Sequence, residues 1–84
     1  MRYLISYDLN APNRDYQTLW NALGRMEAQR VLLSQWIVRR VGTTSADLRD
    51  RLWTFMDSND RLLVVSLDNS DWAGRNLMTN PNTH

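Results

Sequence analysis

Gln29-Arg30-Val31-Leu32-Leu33-Ser34-Gln35-Trp36-Ile37-Val38-Arg39-Arg40-Val41 is the stretch on which the fold turns. It is rich in β-branched, aromatic and leucine residues, which suits extended chain better than helix. Two readings are open: strands Gln29–Leu33 and Gln35–Val41 joined tightly near Ser34, or one long bent strand. Read as two strands, the stretch puts a hairpin in the middle of the chain, and Gly42 breaks the run that follows.

On the amino-terminal side, Tyr16, Leu19, Trp20 and Leu23 recur at helical spacing and predict an amphipathic helix from Arg14 to Met26, fraying near Gly24. Ahead of it, Arg2 to Asp8 alternates Tyr3, Ile5 and Tyr7 with Leu4, Ser6 and Asp8, as a strand does, until the turn residues Asn10-Ala11-Pro12-Asn13. On the carboxy-terminal side, Thr44-Ser45-Ala46-Asp47 reads as a capping box. The helix it opens carries Leu48, Leu52, Phe55 and Met56 on one face. Asp57-Ser58-Asn59-Asp60 is a turn, and Arg61 to Leu67 is the last strand.

Strand, helix, strand, strand, helix, strand predicts an α+β, ferredoxin-like βαββαβ core over residues 1–67. Its four-stranded antiparallel sheet carries two helices on one face, with the first and last strands adjacent. Leu62-Leu63-Val64-Val65 and Trp36-Ile37-Val38 are continuous apolar runs, the pattern of strands buried on both faces. Two helices cover one face, so the expected cover for the other is a second copy of the chain, in a homodimer. Residues 68–84 form a polar tail whose Trp72, Leu77 and Met78 are expected to dock on the core or on the partner subunit, with Trp72 as the anchor.

Composition narrows the chemistry. Eighty-four residues make one small domain, whose modest core is a further reason to expect an oligomer. The absence of cysteine excludes a thiolate metal site, a cysteine nucleophile and a disulfide scaffold. The single histidine, His84, excludes a histidine-based triad or zinc cage. All ten basic residues are arginine, whose planar fork suits phosphate and carboxylate; codon bias is the plainer explanation. A net charge of +1 does not make the monomer a strong non-specific nucleic-acid binder, so RNA or DNA would have to meet a local patch. The longest apolar run falls far short of the roughly 20 residues of a membrane span, and Asp8 interrupts any signal-peptide core. The expectation is a soluble, cytoplasmic chain with no membrane partner.

Three pieces of the chain together resemble the small CRISPR-associated Cas-two proteins. Tyr3-Leu4-Ile5-Ser6-Tyr7-Asp8-Leu9 looks like that family's first strand, which ends in a tyrosine-aspartate pair. Arg30-Val31-Leu32-Leu33-Ser34-Gln35-Trp36 looks like its central hairpin, and Asp57-Ser58-Asn59-Asp60-Arg61-Leu62 like its aspartate-rich turn. A bacterial offshoot called SinR-like is similar at Leu4-Ile5-Ser6-Tyr7-Asp8-Leu9-Asn10, at Asp57-Ser58-Asn59-Asp60-Arg61-Leu62-Leu63-Val64, and around Trp72 and Asn76-Leu77-Met78; the VapD endoribonuclease toxins are a more distant comparison. The resemblance implies a ferredoxin-like homodimer that is either a metal-dependent nuclease or a structural member of the spacer-integration complex. Leu32 stands where the family often has glutamine, and Arg14 beside Asp15 replaces a basic cluster at the first helix. With no evident strand after Met78, these departures count against an integrase partner and against binding of long duplex DNA.

The resemblance makes Asp8 the candidate catalytic residue and metal ligand. Mg²⁺ or Mn²⁺ takes carboxylate oxygens and keeps several waters, so two copies of Asp8 near a two-fold axis could hold one ion that activates water toward a phosphodiester. The competing reading has Asp8 capping the next turn through backbone N–H groups. Asn10 and Ser34 are supporting candidates for orienting water or phosphate, against plain turn-capping roles. Arg14, Arg30, Arg39 and Arg40 are candidate nucleic-acid contacts; adjacent strand positions send Arg39 and Arg40 to opposite faces. The tryptophans could stack bases, but the spacing of Trp20 and Trp36 suits core or interface better. The alternatives to a nuclease are a non-catalytic dimeric interaction module and a VapD-like toxin.

Overall fold

The computed structural model describes residues 1–10, 15–68, 71 and 73–78. Along the chain come β1 (Arg2–Asp8), α1 (Gln17–Arg25), β2 (Gln29–Leu32), β3 (Gln35–Arg39), α2 (Ser45–Trp53) and β4 (Arg61–Ser66). The central stretch is thus a hairpin, turning at Leu33 and Ser34. One antiparallel sheet takes the strands in the order β2-β3-β1-β4, which is compatible with a ferredoxin-like fold.

Alternation in β1 decides where the core sits. Tyr3, Ile5 and Tyr7 are buried, and they pack with Leu19 and Leu23 of α1 and Leu48 and Leu52 of α2. Both helices therefore lie on one face of the sheet. The Tyr3 hydroxyl is satisfied by donating to the Thr43 carbonyl at 2.9 Å, as a phenol carried into a core requires.

The helices are shorter than the periodicity implies. The Asp15 carboxylate accepts the Gln17 N–H at 2.9 Å, so Asp15 stands outside α1, and Tyr16 precedes the first turn. At the other end α1 runs through Gly24 and stops where Glu27 takes φ 60°, with the Ala28 N–H returning to the Leu23 carbonyl. The cap of α2 is the one the sequence spells out: the Thr44 hydroxyl oxygen accepts the Asp47 N–H at 3.1 Å. Phe55 and Met56 lie past the end of α2, yet both pack on the core. Leu67 follows β4, buried, and donates its N–H to the Arg2 carbonyl at 2.8 Å.

On the helix-free face the two apolar runs part company. Leu62 and Val64 turn toward the helices, whereas Leu63 and Val65 are 59% and 38% exposed on the other side. The β2–β3 half of that face is covered from within the chain. Val31, Ile37 and Leu67 are buried there together with Leu4 and Leu77. The Met78 N–H donates to the Val31 carbonyl at 2.9 Å, tying the tail to the edge strand β2. The expectation that another copy must cover the whole face is thereby narrowed to its β4 half. Trp72, the expected anchor, lies outside the described residues. No helix among the described residues is long and apolar enough to cross a membrane.

Candidate functional site

Asp8 closes β1 directly opposite Arg61, the first residue of β4. Strand alternation puts it on the helix-free face with Leu4 and Ser6. Its carboxylate is well exposed and lies 3.8 Å from the Arg61 guanidinium, itself exposed. An ion pair so loose and so wet holds neither partner firmly. A shallow cleft of about 240 Å³ lies on one side of Asp8, lined by Ser6, Arg61 and Leu63 among others. On the other side a cleft of about 350 Å³ runs past Asn10 and Trp20 to Leu33 and Ser34 at the hairpin tip.

The loop after β1 is held by a different aspartate. Asp60 is buried, and its Oδ1 accepts the Asn10 N–H at 2.7 Å and the Tyr16 hydroxyl at 2.6 Å. Its Oδ2 accepts the Asp57 N–H at 2.7 Å. One buried carboxylate thus joins the end of β1, the approach to α1 and the turn before β4. Asn10 strengthens the join by donating its side-chain N–H to the Asn59 carbonyl at 3.0 Å. Ser34 is brought to the same end of the sheet because its carbonyl accepts the Tyr7 N–H at 3.1 Å.

Behind Asp8 stands an aromatic cluster on the helix side. The Tyr7 hydroxyl accepts the Trp36 indole N–H at 2.9 Å and the Trp20 indole N–H at 3.3 Å. The Arg30 guanidinium lies 4.6 Å from the Trp36 ring centre and 5.7 Å from that of Trp20, within cation–π range of both. Its Nε is buried without a hydrogen-bond partner. Arg30 is therefore a half-buried part of this cluster, while Arg39 and Arg40 stand elsewhere. Arg39 pairs in register with Arg2, and the Arg40 N–H bonds the Met1 carbonyl, at the far end of seven-residue β1. A strand of that length puts about 20 Å between them and Asp8. Arg14 lies outside the described residues.

Asp8, Asn10 and Ser34 are thus gathered at one end of the sheet, and Arg39 and Arg40 at the other. Sequence reasoning missed Arg61 as the cation beside Asp8 and Asp60 as the residue that shapes the loop. The first follows from strand register, which a hairpin-free β1–β4 pairing leaves unspecified; the second had a signal in an acidic turn residue flanked by apolar segments.

A hard divalent cation suits an exposed carboxylate with room for water. Among the described residues, no group of three or more acidic or histidine side chains able to hold a metal ion occurs. No model of a known protein family matches the chain.

Proposed function

We propose that the protein is a Cas-two-like homodimer that acts on nucleic acid as a Mg²⁺- or Mn²⁺-dependent endonuclease, with RNA the favoured substrate and Asp8 the catalytic carboxylate. The observation that carries this reading is the division of labour between two aspartates. Asp60 takes the loop-capping duty that would otherwise explain Asp8, and the Asp8 carboxylate stays exposed between two clefts. Asp8 shares the helix-free face with exposed Leu63 and Val65. Pairing of two chains through that strip draws the two Asp8 carboxylates toward each other. A divalent ion bound there supplies Lewis acidity for attack of water on a phosphodiester. Asp8 would supply carboxylate oxygens to such an ion, Ser34 and Asn10 line the approach, and Arg61 offers a guanidinium to phosphate.

Arg61 also favours a second reading. A guanidinium 3.8 Å from the carboxylate competes with a metal ion for it, which suits a dimeric interaction module without catalysis. An assay of RNA and DNA cleavage with Mg²⁺ and with Mn²⁺, run beside Asp8→Asn, separates the two. The expected result is cleavage by the wild type and none by Asp8→Asn, with dimerisation and melting temperature unchanged. Equal cleavage by both places the activity elsewhere, and none by either, across varied substrates, leaves the interaction module.

A further inference from the structure

We infer that the cleft between the hairpin tip and the end of β1 is a pocket for one unpaired nucleobase of a single-stranded substrate; this rests on the reading above that the protein acts on nucleic acid. The cleft measures about 350 Å³ and is lined by Tyr7, Trp20, Leu33, Ser34, Asn10 and Asp8. The cleft is shallow and open to solvent, with room for a single base laid against its wall. Its lining mixes the apolar or aromatic Tyr7, Trp20 and Leu33 with the polar Asn10, Ser34 and Asp8, which suits a flat heteroaromatic ring with polar atoms along its edge.

Three features prepare the cleft for such a ring. The Trp20 indole is fixed by its N–H bond to the Tyr7 hydroxyl, which is fixed in turn by Trp36. Arg30 lies against both indoles, so the aromatic wall is braced before any ligand arrives. Preorganised aromatic surface is what makes base stacking favourable and tolerant of base identity. Second, Leu33 is 79% exposed at the hairpin tip. Leu33 lines the same cleft as Trp20 and so adds a second apolar surface to it. Third, the rim carries the exposed Ser34 hydroxyl, and the side-chain oxygen of Asn10 stands beside an amide nitrogen already engaged with Asn59. Both can meet donors on a base edge.

The ligand must be unpaired, because a base in a duplex presents neither of its faces. With Asp8 at the mouth of the same cleft, a base seated in it places a neighbouring phosphate beside the carboxylate.

The test is fluorescence anisotropy with a labelled single-stranded RNA hexamer of mixed sequence, and with a ribose-phosphate hexamer lacking bases, both in EDTA so that no cleavage occurs. Wild type, Trp20→Leu, Leu33→Ser and Asp8→Asn are compared at one salt concentration. Trp20→Leu is expected to weaken binding of the RNA roughly tenfold and Leu33→Ser about threefold, with no change for the base-free hexamer. Should Trp20→Leu fail to fold, Leu33→Ser, at an exposed tip, still decides the matter. Loss of affinity for both hexamers alike, or for neither, overturns the base pocket. If base-dependent binding is absent while Asp8-dependent cleavage persists, the pocket falls and the nuclease reading stands. If the RNA is bound through Trp20 and Leu33 yet never cleaved, the pocket stands and the nuclease reading falls.

Discussion

Asp8 and Asp60 meet at the same loop with opposite surroundings. Asp60 is 5% exposed and accepts hydrogen bonds from the Asn10 and Asp57 N–H groups and from the Tyr16 hydroxyl. Asp60→Ala strands those donors in a buried site, and a loss of about 3 kcal/mol in urea denaturation is expected. Asp60→Asn keeps the shape but turns one acceptor into a donor facing another donor, so an intermediate loss is expected in the same measurement. Asp8 is open to water, and Asp8→Asn should leave stability within about 0.5 kcal/mol of the wild type. A large loss for Asp8→Asn would show that its carboxylate has a structural duty. The acidic turn was legible as a turn, but which of its aspartates goes inside was not. That choice depends on Tyr16 and Asn10, which reach Asp60 only after α1 and β1 have packed.

At the scale of elements, the tail behaves as an addition to the sheet. Leu77 packs on the cluster of Val31, Ile37 and Leu67, and the neighbouring Met78 N–H bonds to β2. Gly74 makes this seat possible, because a Cβ there would stand 2.6 Å from Leu77 Cδ1. Leu77→Ala should cost about 1–2 kcal/mol, less than a fully buried leucine, and Gly74→Ala should dislodge the same side chain. Truncation after Ser70 removes both and should lower the thermal midpoint, whereas truncation after Asn80 should leave it unchanged. Equal behaviour of the two truncations in a melting experiment would mean that Leu77 adds nothing to stability. The irregular five-and-one spacing of the tail's large apolar residues marked it as a docking segment without saying where. Its seat is on the helix-free face, where strand alternation puts Val31 beside Ile37.

For the whole molecule, the exposed Leu63 and Val65 are the apolar strip through which the proposed dimer would pair, beside the half that Leu77 covers. Leu63→Asp or Val65→Asp should give a folded monomer by sedimentation and circular dichroism. Val64→Asp should instead unfold the subunit, since Val64 packs toward the helices and a carboxylate there would lack a partner. A wild-type chain that sediments as a monomer at micromolar concentration would overturn the dimer. Identical behaviour of Val64→Asp and Val65→Asp would overturn the assignment of faces.

Local patterns determined the elements and their order. Period-two alternation in β1, helical spacing in α1 and the Thr44 cap of α2 act over a few residues, so each is legible wherever the chain is read. The four-stranded α+β sheet follows from that order and the rules of connection. Continuous apolar runs such as Leu62 to Val65 carry no period, and they say that burial occurs without saying on which side or by what. Only the tertiary structure turned Leu63 and Val65 outward, brought Leu77 over Ile37, set Arg61 beside Asp8 and separated Asp8 from Arg39 by the length of a strand. Each of these depends on register between segments distant in sequence, and register is fixed by the sum of side-chain contacts across the sheet rather than by any one stretch of chain.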